Sequence, residues 1–245
     1  GIKMNSQNQN HILERSLYRA EGMEVIARNL SFSKDEKFYS IFNEIAENSK
    51  EKGKLWRMHV FLWSFINGLK LEGDLIECGV WRGFCSSIAT RYTNFEQNNK
   101  TLYLFDTWDG IPEDQIDIKR LGVGSEFNSL NDRYKGPENY EKVLQRFKSF
   151  PNVKIVKGRV PDIFKEIKMP NKISFLHIDM NSSIAEIAAL EVLFEKMVKG
   201  SICLLDDYGS DNAIHQMKAE LDWFTKRGYF VCELPTMQGL VIKID

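Results

Sequence analysis

Leu75-Ile76-Glu77-Cys78-Gly79-Val80-Trp81-Arg82-Gly83-Phe84 is the stretch whose reading decides the fold. A short run that is apolar on both faces meets two glycines and then a segment that reads as helix from about Phe84, which is how a parallel strand feeds a crossover helix. Glycines at such a turn let the backbone approach a ligand closely, and the helix that follows presents free N–H groups at its start. The same alternation recurs downstream, with apolar runs at Leu102–Phe105, Val153–Val156, Ile173–Ile178 and Ile202–Leu205 separated by helical segments. Strand and helix in turn predict an α/β, doubly wound, Rossmann-like sheet with helices on both faces. The end of the chain departs from this pattern. Tyr229–Glu233 and Leu240–Ile244 are joined by Leu-Pro-Thr-Met-Gln-Gly, too short for a crossover helix, so the last strand of an expected seven-stranded sheet runs antiparallel.

Upstream of Gly73, every segment from His11 to Lys70 reads as helix. Phe38, Ile41, Phe42 and Ile45 recur at helical spacing behind Ser33 and Asp35, either of which can cap, and Leu55–Leu69 is apolar nearly all round, which implies burial on several sides. Residues 1–70 are therefore expected to form a helical extension of a 71–245 Rossmann-like domain, covering a binding site or forming a homodimer interface. Thr107–Pro137, rich in glycine and without sustained periodicity, reads as a lid or binding loop.

Composition narrows the partners. With 33 Lys+Arg against 34 Asp+Glu the 245-residue chain has a net charge of −1, so nucleic acid held through its phosphates is disfavoured. The longest apolar stretch, Val60 to Ile66, stops far short of the roughly 18 residues a membrane span needs. The polar start shows no apolar leader, and the four cysteines (Cys78, Cys85, Cys203, Cys232) form no CxxC pair. Buried reduced thiols in a cytoplasmic protein are the expectation.

Three places carry chemistry. The first is the Glu77–Gly83 turn, which lacks the GxGxxG dinucleotide fingerprint because Trp81 stands where a middle glycine would be. The second is Asp106, at the end of the next strand, where an acid can accept hydrogen bonds from ribose hydroxyls or simply cap a turn. The third is Asp179 with Asp206 and Asp207, at the ends of two strands that lie side by side in the common doubly wound order. Three carboxylates on one rim repel one another unless a positive charge sits between them, and all-oxygen ligation favours Mg²⁺, Mn²⁺ or Ca²⁺ over zinc. Helix capping by Asp179, Asp207 or Ser210 is the plain alternative. His177 shares the side of its strand with Asp179 and reads as core or a support for that site, His215 is a candidate proton acceptor near the rim, and His11 and His59 read as structural. Trp81, Trp108 and Tyr208 flank the motifs and could stack on a ligand ring or simply pack.

Taken together, Glu77-Cys-Gly-Val-Trp-Arg-Gly, Phe105-Asp-Thr-Trp-Asp-Gly-Ile-Pro, Leu176-His-Ile-Asp and Gly200-Ser-Ile-Cys-Leu-Leu-Asp-Asp-Tyr-Gly resemble the macrocin O-methyltransferase (TylF-like) family. The resemblance implies a class I S-adenosyl-L-methionine-dependent enzyme that methylates a sugar hydroxyl with help from Mg²⁺. It implies Glu77 and Gly79 beside the methionine part of the cofactor, Asp106 on the ribose, and Gly158 and Arg159 near the adenine. Trp81, Gly83, Ser86 and Thr107 complete the expected cofactor set, and Asp179, Asp206 and Asp207 are the implied metal ligands. Many family members read Asp-x-Asp-x-Tyr where this chain reads Asp179-Met-Asn181-Ser-Ser183, so Asn181 and Ser182 occupy the positions of the proposed general base, and neither is a base at neutral pH. The expected mechanism therefore rests on the metal, with His215 or water taking the proton. A nicotinamide-dependent oxidoreductase and a non-catalytic cofactor-binding descendant are the competing readings.

Overall fold

The computed structural model describes residues 17–117 and 131–245. The start of the helical region expected from His11 and the middle of the expected lid lie outside the described residues. The first surprise is local. Leu17–Ala20 (β1) and Met23–Ile26 (β2) form an antiparallel hairpin, not the helix that the sequence suggested. Its two-residue turn, Glu21-Gly22, has φ of 50° and 76°, the left-handed pair that matches the twist of a tight hairpin. Tyr18 anchors it by donating to Gly53 O and accepting from Trp56 N.

Helix α1 (Glu36–Ile45) is capped by Asp35, whose side chain accepts from Phe38 N at 3.0 Å, and it buries Phe38, Phe42 and Ile45 as the spacing predicts. Helix α2 (Leu55–Leu69) buries Met58, Phe61, Leu62 and Phe65, but Trp63 stays 51% exposed, so the helix is covered on fewer sides than its composition implied. The strands follow as read: β3 (Asp74–Cys78), β4 (Leu102–Asp106), β5 (Val153–Lys157), β6 (Ile173–Ile178) and β7 (Met197–Leu205), with β8 (Cys232–Glu233) and β9 (Gly239–Ile242) ending the chain. Helices α3 (Phe84–Thr93), α4 (Pro137–Phe147), α5 (Ser183–Leu193) and α6 (Ile214–Lys226) fill the connections.

The sheet order is β5-β4-β3-β6-β7-β9-β8, parallel through β7, with β9 antiparallel to both of its neighbours. Alternate residues of each central strand feed two cores. Leu75, Leu104, Phe175 and Leu204 pack under α1, α2 and α3, whereas Ile76, Phe105, Ile178 and Leu205 pack under α5 and α6. Phe61 lies edge-on to Phe175 at 5.4 Å, and full burial of a side chain of this size stabilises by about 1.5–3 kcal/mol. The first helices after the hairpin thus share one core with the sheet. Chain order reverses at β3, which has β4 on one side and β6 on the other, so the ends of β3, β4, β6 and β7 open on one crevice.

The cysteines divide. Cys78 and Cys203 are buried as expected, Cys85 is half-buried, and Cys232 is exposed because the sheet ends on a two-residue edge strand.

Candidate active site

A cavity of about 560 Å³ lies over the ends of those strands, walled by the turn after β3, by Asp106, Asp179, Asp206 and Asp207, and by Glu21, Lys54 and Arg57. A second cavity of similar volume adjoins it, sharing Thr107, Gly110 and Pro112, and its own wall includes Trp108, Gly158 and Arg159.

The turn after β3 is built for close approach. Gly79 has φ of 89°, and a Cβ on it would lie 1.8 Å from Asp179 O, so the backbone crosses the end of β6 where no side chain fits. Asp106 holds this turn. Its Oδ2 accepts from Val80 N and Trp81 N, both at 2.8 Å, and its Oδ1 accepts from Trp108 N at 2.9 Å. Trp81 and Trp108 both have positive φ, 50° and 48°, a conformation that costs a non-glycine residue energy and that the carboxylate offsets. Trp108 Nε1 donates to Trp81 O at 2.7 Å, tying the two loops together. The middle position of the turn needs the left-handed geometry that glycine supplies elsewhere, and here Asp106 lets tryptophan adopt it.

Beneath the turn lies a buried polar chain. Ser86 Oγ donates to Glu77 Oε1 at 3.1 Å, and Glu77 Oε2 lies 2.8 Å from His177 Nδ1. Glu77 reaches the cavity, whereas Ser86 supports it from behind. Gly83 starts α3 against the Phe147 ring and does not line the cavity.

The acidic rim assembles, and sequence reasoning missed what neutralises it. Arg57, 4% exposed, reaches across from α2, and its Nη1 donates to both oxygens of Asp206 at 3.0 Å and to Asp207 Oδ1 at 3.1 Å. Its Nη2 pairs with Glu21 of the hairpin turn at 3.1 Å. Burial works against the Asp206 charge, but Arg57, His177 and Lys54 outweigh it and hold that carboxyl below its ordinary value. Asp179 faces the opposite balance, and burial together with the charges of Asp206 and Asp207 pushes it well up. Asp206 raises the Lys54 ammonium against the effect of burial, so Lys54 is a cation in the cavity wall and not a base. A positive residue spaced for the inner face of an otherwise apolar helix was the available signal for Arg57.

Other expectations are corrected. His215 Nε2 lies 2.9 Å from Asp117 Oδ2, outside the cavity lining, so it is not placed to take a proton at the rim. Asp117 also accepts from Ser183 N at 2.8 Å, an anchor that the irregular loop concealed. Helix α5 is capped by Ser182, which accepts from Ala185 N at 3.1 Å, and not by Asp179, while α6 has no side-chain cap from Asp207 or Ser210. Asn181 lines the cavity and donates to Tyr134 Oη at 3.4 Å, so of the two residues at the family's base positions one is an amide and the other a cap. Arg159 is turned to Asp114 at 2.6 and 2.8 Å. Tyr208 is buried against Gly239 and is a packing residue. His59 stacks on Phe32 at 4.7 Å, in keeping with a structural role.

The family profile of macrocin-O-methyltransferase (TylF) matches residues 55–227. Mycinamicin III 3''-O-methyltransferase from Micromonospora griseorubida is 23% identical over 159 residues, 60% of this chain and 61% of that protein, so the match spans less than two thirds of its length. The O-methyltransferase NovP superposes with a TM-score of 0.62 at 19% identity, covering 84% of this chain and 88% of NovP. CalS11, a calicheamicin methyltransferase, gives 0.61 at 17% identity, covering 87% and 93%. PaMTH1 of Podospora anserina, solved with S-adenosylhomocysteine, gives 0.57 at 9% identity, covering 100% and 99%. The structural likenesses establish the methyltransferase fold, and the profile match over most of the chain shows that it belongs to the macrocin O-methyltransferase (TylF) family of S-adenosylmethionine-dependent O-methyltransferases.

Proposed function

We propose that this protein transfers the methyl group of S-adenosyl-L-methionine to a hydroxyl of a sugar or glycosylated small molecule. The observation that carries the reading is the meeting of the Gly79 turn, Asp106 and the acidic rim in one cavity. The two adjoining cavities suit an elongated cofactor, with the methionine end beside Glu77 and Gly79 and the adenine end beside Gly158 and Arg159. Asp106 serves chiefly by fixing the turn, leaving limited accepting capacity for ribose. The sugar acceptor is inferred from the mycinamicin III 3''-O-methyltransferase match.

Methyl transfer from a sulfonium is an in-line displacement, so the protein contributes orientation of two reactants and exclusion of competing water. Glu21, Lys54 and Arg57 line the cavity with the rim carboxylates, and Arg57 is bonded directly to Asp206 and Asp207, so the acceptor would lie beside this charged cluster. With Asn181 an amide, Ser182 a cap and His215 held by Asp117, proton release falls to water in the open cavity. The rim carboxylates are of the donor type that a divalent cation takes, and Mg²⁺ fits them. When bound, such an ion would lower the pKa of the acceptor alcohol and orient it. No helix among the described residues is long and apolar enough to cross a membrane. We place the enzyme in the cytoplasm, acting on a small-molecule or glycan acceptor, with the exposed Trp63 on α2 available to a homodimer contact. Incubation with S-adenosylmethionine and a panel of sugar nucleotides and glycosylated small molecules tests the reading. Formation of S-adenosylhomocysteine only when a hydroxylated sugar is present is the expected result, and its absence across the panel, with cofactor bound, would favour the non-catalytic alternative.

A further inference from the structure

Helices α5 and α6 meet over a buried polar cluster that forms no part of the cavity. Glu186 of α5 and Gln216 and Glu220 of α6 are 0%, 1% and 0% exposed. Gln216 and Glu220 stand one turn apart on the same face of α6. Gln216 Nε2 donates to Glu186 Oε1 at 3.2 Å and to the main-chain oxygen of Asp206 at 3.5 Å, so the cluster is tied to the end of β7. Glu186 Oε2, Gln216 Oε1 and both carboxyl oxygens of Glu220 have no hydrogen-bond partner among the described residues. All four are acceptors. The titratable groups that bear on the two glutamates from the sheet and its ends, Cys78, Asp179, Cys203, Asp206, Asp207 and Tyr208, are acidic as well, and none of them is a cation. Buried acceptors that meet only acceptors are costly, and two neighbouring buried carboxylates repel.

We propose that Glu186 and Glu220 are both neutral carboxylic acids, and that with Gln216 they close a ring of hydrogen bonds that works as a proton-operated clasp between α5 and α6. Glu186 Oε2–H donates to one oxygen of Glu220, the other oxygen of Glu220 donates its own proton to Gln216 Oε1, and Gln216 Nε2 returns to Glu186 Oε1. Two protons thus satisfy every unpartnered atom of the cluster. Burial favours them, pushing Glu186 well up with help from Glu220 and pushing Glu220 up to about 8. The ring is therefore closed below that value and opens above it. When hydroxide takes the Glu220 proton as water, the carboxylate is left against Gln216 Oε1, acceptor to acceptor. Gln216 then turns its amide to give Nε2 to Glu220, which abandons Glu186 and the Asp206 main chain. The clasp lies outside the cavity, and its state is set without cofactor, cation or acceptor.

The full chain labelled with ¹³C at the glutamate side-chain carboxyl tests the ring by nuclear magnetic resonance. At neutral pH two glutamate signals should sit at the protonated position and the others at the carboxylate position, with one of the two lost in Glu186→Gln and the other in Glu220→Gln. Labelling glutamate alone keeps Asp179, whose carboxyl is also pushed up, out of the spectrum. The movement is read at Trp223 of α6, whose Nε1 donates to Glu191 of α5 at 2.7 Å. Wild-type tryptophan emission should change with a midpoint at about 8. An amide at position 220 both donates to Gln216 and accepts from Glu186, so Glu220→Gln keeps the ring closed at every pH and should abolish that change. Fewer than two protonated glutamates in the wild-type chain would overturn the ring. Two protonated glutamates without the emission change, or a change that persists in Glu220→Gln, would overturn the clasp. The wild-type spectrum decides the first point even if a variant fails to fold.

Discussion

Asp106→Asn tests how the cofactor turn is held. The carboxylate accepts three backbone N–H groups at 2.8, 2.8 and 2.9 Å, two on one oxygen and one on the other. Hydrogen bonds to a charged acceptor contribute roughly 1 kcal/mol more each than neutral ones, so loss of the charge alone weakens the turn by about 3 kcal/mol. The amide must also set an NH₂ against one of these N–H donors, leaving it unsatisfied, while Trp81 and Trp108 remain at φ of 50° and 48° with less to hold them there. If the turn loosens in the free protein and must be re-formed on binding, about 3 kcal/mol corresponds to a loss of affinity on the order of a hundredfold. If the cost appears as stability, it corresponds to a fall in Tm of about 6–12 °C for a chain of this size. Calorimetric titration with S-adenosylhomocysteine and thermal melts at neutral pH measure both. A variant that binds within about threefold of wild type and melts within about 2 °C of it would refute the reasoning, because three charge-assisted bonds cannot be removed without appearing in one of the two quantities.

Three further changes follow from the same geometry. Gly79→Ala places a Cβ 1.8 Å from Asp179 O at a φ of 89°, so S-adenosylhomocysteine binding should be lost in calorimetry even where far-ultraviolet circular dichroism shows a folded chain. Arg57→Met leaves Asp206 and Asp207 without their buried counter-charge, which should cost about 3–5 kcal/mol in denaturant unfolding. Glu220 is fully buried, and burial pushes its carboxyl from 4.5 to about 8. Because the folded value is the higher one, its contribution to stability is complete below the unfolded value and is lost as pH rises towards 8, at roughly 1.4 kcal/mol per pH unit. Glu220→Gln should therefore raise Tm at pH 8 and change it little near pH 4.5, and an equal shift at both would contradict the assignment.

The strands were legible because a parallel sheet under two layers of helix leaves an unmistakable pattern: runs such as Leu102–Phe105 are apolar on both faces, and they form where they were read. The β1–β2 hairpin was not, because both of its strands are half-exposed and its Glu21-Gly22 turn is a weaker signal than the Asn-Gly or Asp-Gly pairs that mark such turns. The convergence of Glu77, Asp106, Asp179, Asp206 and Asp207 on one cavity followed from strand order alone, since strand ends in a doubly wound sheet share one edge. Which groups those acids would meet did not follow. Arg57 lies 149 positions from Asp206, and only the crossing of α2 over the sheet brings the two together. His215 looked placed for the rim by its distance along the chain from Asp207, yet Asp117 from a distant loop claims it. Long-range side-chain pairing of this kind is fixed by helix packing, which a single sequence does not spell out.

The central claim is methyl transfer to a sugar oxygen, and isotope tracing tests it most directly. The full chain is incubated with S-adenosylmethionine carrying a trideuterated methyl group and a pool of glycosylated small molecules, and the products are resolved by mass spectrometry. The account predicts a product that carries the intact trideuteromethyl group on a sugar hydroxyl, formed together with S-adenosylhomocysteine. Label found on a non-sugar atom, or no transfer from bound cofactor to any member of the pool, would contradict it.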